Sequence, residues 1–400
     1  MDSFTALGDL ELFAKRLAGR GIIKPTEIQT KVIPSLLKGD NVLFRSPTGT
    51  GKTFAYLLPL LQRLLPLAAE SQNTAAEAYG IQAILLIIAP TQELCSQIKG
   101  ELDFLLGAYP KEKAPRAALI IGSANIERQI QLLKKEKPQI VIGNPARLLL
   151  LAHKRRLHLQ NIKALVLDEG DFLVADEILE EIKALLRFLP KKNRQNAACS
   201  ATISARNRER LLPYLGNNAV IIETEGLTVC GTIEHWAFFS EKRKKNALLR
   251  SFLAAAKPKK TLVFCSRGGE AGNILSQLQH HHFAAGGIWS DMSKGSRKAG
   301  MDDFRAGKQS ILVASDLACR GLDIQGISHV VAMDIPENPE LYLHRSGRTG
   351  RTGRRGIMVS IGDEQELRHL SRIEKKLGIT VFPKMLYGGR VLAADSAGFD

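Results

Sequence analysis

LVLDEGDFL, at residues 165–173, begins as an apolar run and stops abruptly on two acids, Asp168 and Glu169. Ala164 to Leu167 suit a strand buried on both faces of a parallel sheet, which leaves the acids at its carboxyl end. Ligands bind at that edge in open α/β folds. Either the pair serves a metal ion and a water there, or it merely begins a surface turn. Read alone, the turn is the simpler account, so the rest of the chain has to decide.

On both sides of this stretch, short β-rich runs alternate with helix-length segments. A first set comprises NVLF from 41, AILLIIAP from 83, AALIIG from 117, QIVIGNP from 139, ALVLDE from 164, NAACSAT from 196 and AVIIE from 219. A second comprises EHWAFF from 234, TLVFCS from 261, FAAGGIW from 283, SILVAS from 310, HVVAMDIP from 329, GIMVSIG from 356 and ITVFP from 379. Such alternation predicts an α/β protein with parallel sheets covered by helices. At 400 residues the chain exceeds one ordinary core, and each set is large enough for its own sheet. The polar, glycine-bracketed ETEGLTVCG marks the boundary, giving a first domain at 1–222, a connector at 223–230, a second domain at 231–387 and a short tail at 388–400. AAESQNTAAEAYG, at 68–80, has few large apolar residues and suggests an exposed loop or a fraying helix end.

Hydrophobic residues make up 44% of the chain and charged residues 24%, as in ordinary globular proteins. A formal net charge of +16 favours a polyanionic partner, either nucleic acid or an anionic membrane surface. The chain has no run of eighteen apolar residues, no amphipathic basic helix and no lipidation signal, which sets the membrane aside. The opening MDSFTALGDLELF lacks the apolar segment of a secretory signal, so a cytoplasmic protein is expected. Cys95, Cys199, Cys230, Cys265 and Cys319 form no CxxC pair and are expected as reduced residues of the interior.

Strand NVLF runs into SPTGTGKT at 46–53 and then into an apolar helical stretch. Strand, glycine loop and helix form the setting in which backbone N–H groups and a helix amino terminus cradle phosphates. Ser46 stands where the common pattern has glycine, so the match is to the shorter G-x-G-K-T core. Ser46, Thr48, Gly49, Thr50 and Gly51 would line the phosphates, Lys52 would reach the β and γ positions, and Thr53 would coordinate Mg²⁺. Such a loop needs acids on a neighbouring strand, which LVLDE supplies: Asp168 for the metal and Glu169 to polarise the attacking water. A third element, YLHRSGRTGRTGRRG at 342–356, lies between apolar strands and is expected as a loop and helix start within a folded domain. Arg348 and Arg351 are three apart, as two guanidiniums on one helical face would be. Placed over a bound γ-phosphate, such arginines stabilise transition-state charge, which would require the two domains to close.

Taken in order, these residues resemble the DEAD-box RNA helicases of superfamily 2 over nearly the whole chain. GIIKPTEIQ at 21–29, with Phe4 upstream, is similar to the family's Q motif, and SPTGTGKT, DEGD at 168–171, SAT at 200–202, ASDLACRGLDI at 314–324 and HRSGRTGR at 344–351 follow in family order. The resemblance implies two tandem RecA-like domains and an RNA-dependent ATPase that remodels RNA duplexes or RNA–protein complexes with ATP and Mg²⁺. It implies that Gln29 reads adenine, that Asp323 touches the ribose, and that Lys52, Glu169, Arg348 and Arg351 carry catalysis. Asp171, Ser200, Thr202 and His344 would couple the ATP site to strand separation. RNA would be held by Pro90, Thr91, Gln92, Gly122, Asn144 and Arg147 in the first domain and by Arg267, Ser315, Arg320 and Gly321 in the second. Sequence-independent backbone contacts, a monomer and a protein cofactor for some activities are the expected partnerships.

Several positions depart from the family. Gly170 replaces the alanine of its name, Gln92 an arginine, Gly122-Ser123 a glycine pair, Asn144 and Ala146 the threonine and glycine of TPGR, and Ile22 an aromatic. Ordinary drift is the simpler account of these departures; the sharper expectation is an intact ATP site with a weaker RNA grip in the first domain, since each lost arginine removes a phosphate contact. Two other readings stay open: a clamp that keeps the fold but hydrolyses ATP poorly, and a duplex-DNA translocase of the same superfamily.

Overall fold

The computed structural model describes residues 3–46, 49–71, 83–110, 114–216, 218–224, 232–266, 268–289, 292–319, 324–350 and 354–394. The chain divides into two compact units, Met1–Glu225 and Gly226–Asp400. In the first, β1 (Val42–Arg45), β2 (Leu85–Ile88), β3 (Ala117–Ile120), β4 (Ile140–Gly143), β5 (Ala164–Asp168), β6 (Gln195–Ser200) and β7 (Val220–Glu223) form one parallel sheet in the order β3-β4-β2-β5-β6-β1-β7. The central strands β1, β2, β4, β5 and β6 are buried on both faces, whereas the edge strand β7 exposes Val220 and Ile221. Ala164 and Val166 of β5 enter one apolar cluster with Val42, Phe44 and Ile87, while Leu165 and Leu167 enter another with Leu43 and Leu86. That two-sided burial explains why these strands are continuous aliphatic runs instead of alternating ones.

Because the strands are parallel, their carboxyl ends share one edge, and the order sorts the loops. Those after β3, β4 and β2 lie on one side of that edge; those after β5, β6 and β1 lie on the other.

The second unit holds β8 (Ile233–Phe239), β9 (Thr261–Phe264), β10 (Ala285–Ile288), β11 (Ile311–Ala314), β12 (His329–Ala332), β13 (Gly356–Gly362), β14 (Val381–Tyr387) and β15 (Arg390–Ala393). Their order is β10-β11-β9-β12-β13-β8-β14-β15, parallel except for the antiparallel pair β14/β15. All fourteen runs read as strands are strands.

Two expectations need correction. Arg390–Ala393, assigned to a tail at 388–400, adds a strand, and Gly388 and Gly389 make the hairpin turn at φ 55° and 71°. Glu223, assigned to the connector, is the last residue of β7, and Thr224 still donates its N–H to Arg45 O at 3.2 Å; the connector from 225 onward lies outside the described residues. The stretch at 68–80, expected as an exposed loop or a fraying helix end, begins with the last turn of the helix Lys52–Ser71, and residues 72–80 lie outside the described residues.

Candidate functional site

β1 leads to Ser46, and Gly49, Thr50 and Gly51 precede the helix Lys52–Ser71; residues 47 and 48 lie outside the described residues. Ser46 is buried; its N–H donates to Ser200 O at 3.1 Å and its hydroxyl to Thr50 Oγ1 at 2.8 Å. Lys52 Nζ folds back onto Ser46 O at 2.7 Å, curling the loop around its own ammonium. Gly49 and Gly51 adopt φ of 82° and 85°, which favour glycine, and a β-carbon on Gly51 would collide with the Gln29 side chain. Gln29 is fully buried and braces the loop: Nε2 donates to Gly51 O at 3.0 Å, and Oε1 accepts the Thr26 N–H at 2.9 Å. Thr26 adds a bond from its hydroxyl to Thr50 O at 2.7 Å. Thr48, assigned to the same loop, lies outside the described residues.

Asp168 ends β5 almost fully buried. Its Oδ2 accepts the Tyr56 hydroxyl at 2.8 Å, and its Oδ1 accepts the Glu169 N–H at 2.8 Å and the Cys199 thiol at 3.0 Å. Burial next to that carboxylate pushes both the Tyr56 hydroxyl and the Cys199 thiol upward, so each stays protonated and can donate. Burial pushes the Lys52 ammonium the other way, below its usual value, against the attraction of Cys199, Asp168, Glu169 and Asp171. Glu169 sits at φ 51°, ψ 53°, a left-handed conformation that costs a non-glycine residue on the order of 1 kcal/mol and turns the chain sharply after the strand. One carboxylate and the Thr53 hydroxyl make a hard oxygen donor set, which suits Mg²⁺ completed by waters and phosphate oxygens. Among the described residues no cluster of three or more His, Cys, Asp or Glu side chains forms a closed metal cage.

Asp171 connects this corner to the loop after β6. Its Oδ2 accepts the Thr202 hydroxyl at 2.9 Å, and the Thr202 N–H donates to Ser200 Oγ at 3.2 Å. Three of the four residues assigned to coupling are therefore one hydrogen-bonded chain.

The other side of the edge is braced differently. Thr91 caps the helix Gln92–Leu106, accepting the Leu94 N–H at 3.2 Å. Arg147 donates to Gly122 O at 2.7 Å and Ala124 O at 3.1 Å, fastening the loop after β3 to the helix Pro145–His153. Asn144 heads that helix, and its Oδ1 is buried with no hydrogen-bond partner. Pro90, Thr91, Gln92, Gly122, Asn144 and Arg147 thus come from the neighbouring loops of β2, β3 and β4.

In the second unit the helix Pro339–Ser346 carries His344, and Arg348 follows it with Nε donating to His344 O at 3.3 Å. Both side chains are buried and line a water-sized cavity of about 10 Å³ with Asp316, Cys319 and Arg345. The helix ends at Ser346, so Arg348 lies in the turn beyond it instead of on its face, and its expected companion Arg351 falls outside the described residues. Ser315 is buried below the helix Asp316–Cys319, its hydroxyl without a partner. Arg267, Arg320, Gly321, Asp323 and Arg351 lie outside the described residues.

With this geometry in hand, comparison with known proteins is decisive. The DEAD/DEAH box helicase family matches residues 26–211, and the helicase conserved C-terminal domain matches residues 244–353. The chain is 34% identical to the DEAD-box ATP-dependent RNA helicase CshC of Bacillus cereus, over 92% of this chain and 90% of that protein. The chain belongs to the DEAD-box ATP-dependent RNA helicases. It is 33% identical to the family member CshB of Listeria monocytogenes over 89% of this chain and 78% of the other. Among solved DEAD-box structures, S. cerevisiae Dbp5 bound to RNA and ADP BeF3 matches at a TM-score of 0.82 and 26% identity, covering 96% of both chains. The two sheets are accordingly the two RecA-like domains of a DEAD-box protein.

Sequence reasoning missed three participants. Tyr56 lies one helical turn beyond Lys52 and Thr53, a spacing that could have flagged it. Cys199 is the register partner of Asp168 across β5 and β6, which no local pattern reveals. Arg345 lies inside HRSGRTGR but was passed over for the i, i+3 pair. It is buried, grips Asp316 through Nε and Nη2, both at 2.7 Å, and donates from Nη2 to Asp334 Oδ1 at 2.8 Å.

Proposed function

We propose that this DEAD-box chain hydrolyses ATP in an RNA-stimulated cycle and uses it to separate short duplexes or displace protein from RNA. The observation that supports this best is the continuity of one sheet edge. The phosphate-type loop, the Asp168-Glu169 pair and the Asp171–Thr202–Ser200 chain occupy one side, and the loops assigned to RNA occupy the other.

In this reading the Gly49–Gly51 turn and Lys52 bind the phosphates, and the desolvated ammonium recovers a counter-charge when the γ-phosphate arrives. Gln29 holds the loop in shape and would turn its amide to adenine on nucleotide binding; Asp323 would touch the ribose. A Mg²⁺ ion held by Thr53 and Asp168 would neutralise charge on the β and γ oxygens when bound. Glu169, fixed by its left-handed backbone, would orient the attacking water, and Arg348 and Arg351 would stabilise charge on the transferred group. Asp171, Thr202 and Ser200, with His344, would relay the state of the nucleotide to the loops that hold RNA. RNA would be gripped through phosphates and 2′-hydroxyls, with weak sequence readout. A cytoplasmic monomer, assisted by a protein cofactor in some reactions, completes the proposal. Among the described residues no helix is long and apolar enough to cross a membrane.

The test is steady-state ATP hydrolysis with Mg²⁺ in the absence of nucleic acid, with structured RNA, and with DNA of the same sequence. Stimulation by RNA alone that disappears in Glu169→Gln supports the reading. Equal stimulation by DNA would favour the translocase, and RNA binding without hydrolysis would favour the clamp.

A further inference from the structure

We infer that Tyr56 and Cys199 are positioning residues for Asp168, fixing its carboxylate so that one oxygen faces the metal–nucleotide complex. This rests on the ATPase reading and goes beyond it, because neither residue touches a phosphate, a reacting water or the metal. A carboxylate oxygen offers roughly two lone-pair directions. Oδ1 of Asp168 has both taken, by the Glu169 N–H at 2.8 Å and the Cys199 thiol at 3.0 Å. Oδ2 has one taken, by the Tyr56 hydroxyl at 2.8 Å. The direction left on Oδ2 is the one that a cation, or a water bound to it, would use.

The donors are held by the elements that build the rest of the site. Tyr56 is fully buried on the helix whose first turn carries Lys52 and Thr53, so its ring cannot swing its hydroxyl away. Cys199 is fully buried on β6, opposite Asp168 in the ladder and next to Ser200. Rotating the carboxylate would break hydrogen bonds to the helix, to the neighbouring strand and to the chain's own turn at once. Buried carboxylates need donors for stability alone. What separates the two roles is the response of metal binding, since partners of this kind typically change metal affinity 10- to 100-fold.

The experiment uses the full chain without RNA and follows binding of a fluorescent ATP analogue as Mg²⁺ is titrated, with Mn²⁺ binding read by electron paramagnetic resonance and melting temperature recorded alongside. Tyr56→Phe should raise the Mg²⁺ midpoint about tenfold, and Cys199→Ala should raise it several-fold. Cys199→Ser, which keeps a donor, should recover part of that loss. Affinity for the metal-free nucleotide should stay within about twofold, because the phosphate loop is untouched. An unchanged midpoint in Tyr56→Phe, Cys199→Ala and the double variant, while Asp168→Asn moves it, would overturn the inference and leave both residues as structural donors. Absence of any Mg²⁺-dependent nucleotide binding in the unsubstituted chain would instead overturn the ATPase reading, and this inference with it.

Discussion

Lys52 in the first unit and Arg345 in the second both stand at the carboxyl edge of a parallel sheet with acids beside them. Around Lys52 the acids are partly spoken for by neutral donors. Asp168 is held by a hydroxyl, a thiol and an amide, and Asp171 by Thr202, so the ammonium bonds to a carbonyl and burial pushes it below its usual value. Around Arg345 the acids pair with the cation itself. Asp316 takes it bidentately and Asp334 adds a third contact. Burial disfavours charge on Asp334, but Arg345 and Ser266 outweigh it and hold that carboxyl below its usual range. The first edge buries a cation whose charge burial disfavours, whereas the second uses its cation to hold the ends of three strands together. One site is built to bind and the other to stay shut.

The sharpest way to break this contrast is Arg345→Met, which leaves two half-buried carboxylates without their cation. Urea unfolding of the second unit should show a loss of about 3–5 kcal/mol. Arg345→Lys should rescue little, because an ammonium cannot make the fork-like contact with Asp316. A loss below about 1 kcal/mol would mean that the hub is solvated and the contrast is wrong. Lys52→Ala should behave oppositely. ATP hydrolysis should fall on the order of 10²- to 10³-fold, while the urea midpoint of the first unit holds or rises slightly, since the substitution removes a charge that burial disfavours.

The second unit should also be the one that acid weakens through histidine. His235 is buried against Tyr342, with Nδ1 2.9 Å from the hydroxyl, and burial pushes its pKa down to about 4; His329 is pushed to about 4 by the same cause. The unfolded chain takes up these protons below about 6.5, and the native unit resists until about 4. Stability is therefore fully present above the unfolded value, falls as pH drops through that window, and levels off beneath it. His235 alone should account for about 2–3 kcal/mol. Comparing urea midpoints at pH 7 and pH 4.5 tests this, with His235→Phe expected to remove roughly half of the drop and His329 supplying the remainder.

Much of this was legible before any coordinates. Strands buried on both faces announce themselves as aliphatic runs, and SPTGTGKT and LVLDE mark where charge must gather. What escaped were relations between elements. Cys199 reaches Asp168 only because β5 and β6 align in register, and Arg345 outranks Arg348 structurally because Asp316 and Asp334 arrive from β11 and β12. The expected helical face carried Arg348, yet the helix Pro339–Ser346 ends before it, since Gly347 can be taken equally well as a start or a stop. β15 escaped because four residues, RVLA, carry too little pattern to distinguish a strand from a tail. The RNA grip expected to weaken at Gln92 was read from single positions, whereas the bonds from Arg147 to the carbonyls of Gly122 and Ala124 tie two loops together and have no local pattern.

The smallest effect expected lies at the residue that departs from the family's name. A methyl group on Gly170 would meet both Leu211 methyls at 3.3 Å, tighter than ordinary contact, and the Cys199 carbonyl at a comfortable 3.6 Å. Leu211 is fully buried in the helix Ala205–Leu215, so it can yield only a few tenths of an ångström before pressing on its neighbours. Against that strain, alanine in the short helix Gly170–Leu173 recovers about 0.5–1 kcal/mol of backbone entropy. The two terms nearly cancel, so Gly170→Ala should shift stability by less than about 1 kcal/mol and leave ATP hydrolysis within about twofold, because Glu169 and Asp168 keep their backbone. Adding Leu211→Val decides which term governs. If alanine is more stable beside valine than beside leucine, Gly170 is here because Leu211 needs the room. If the preference vanishes, the glycine answers to no packing demand, and the first edge tolerates either residue next to the acids of its metal corner.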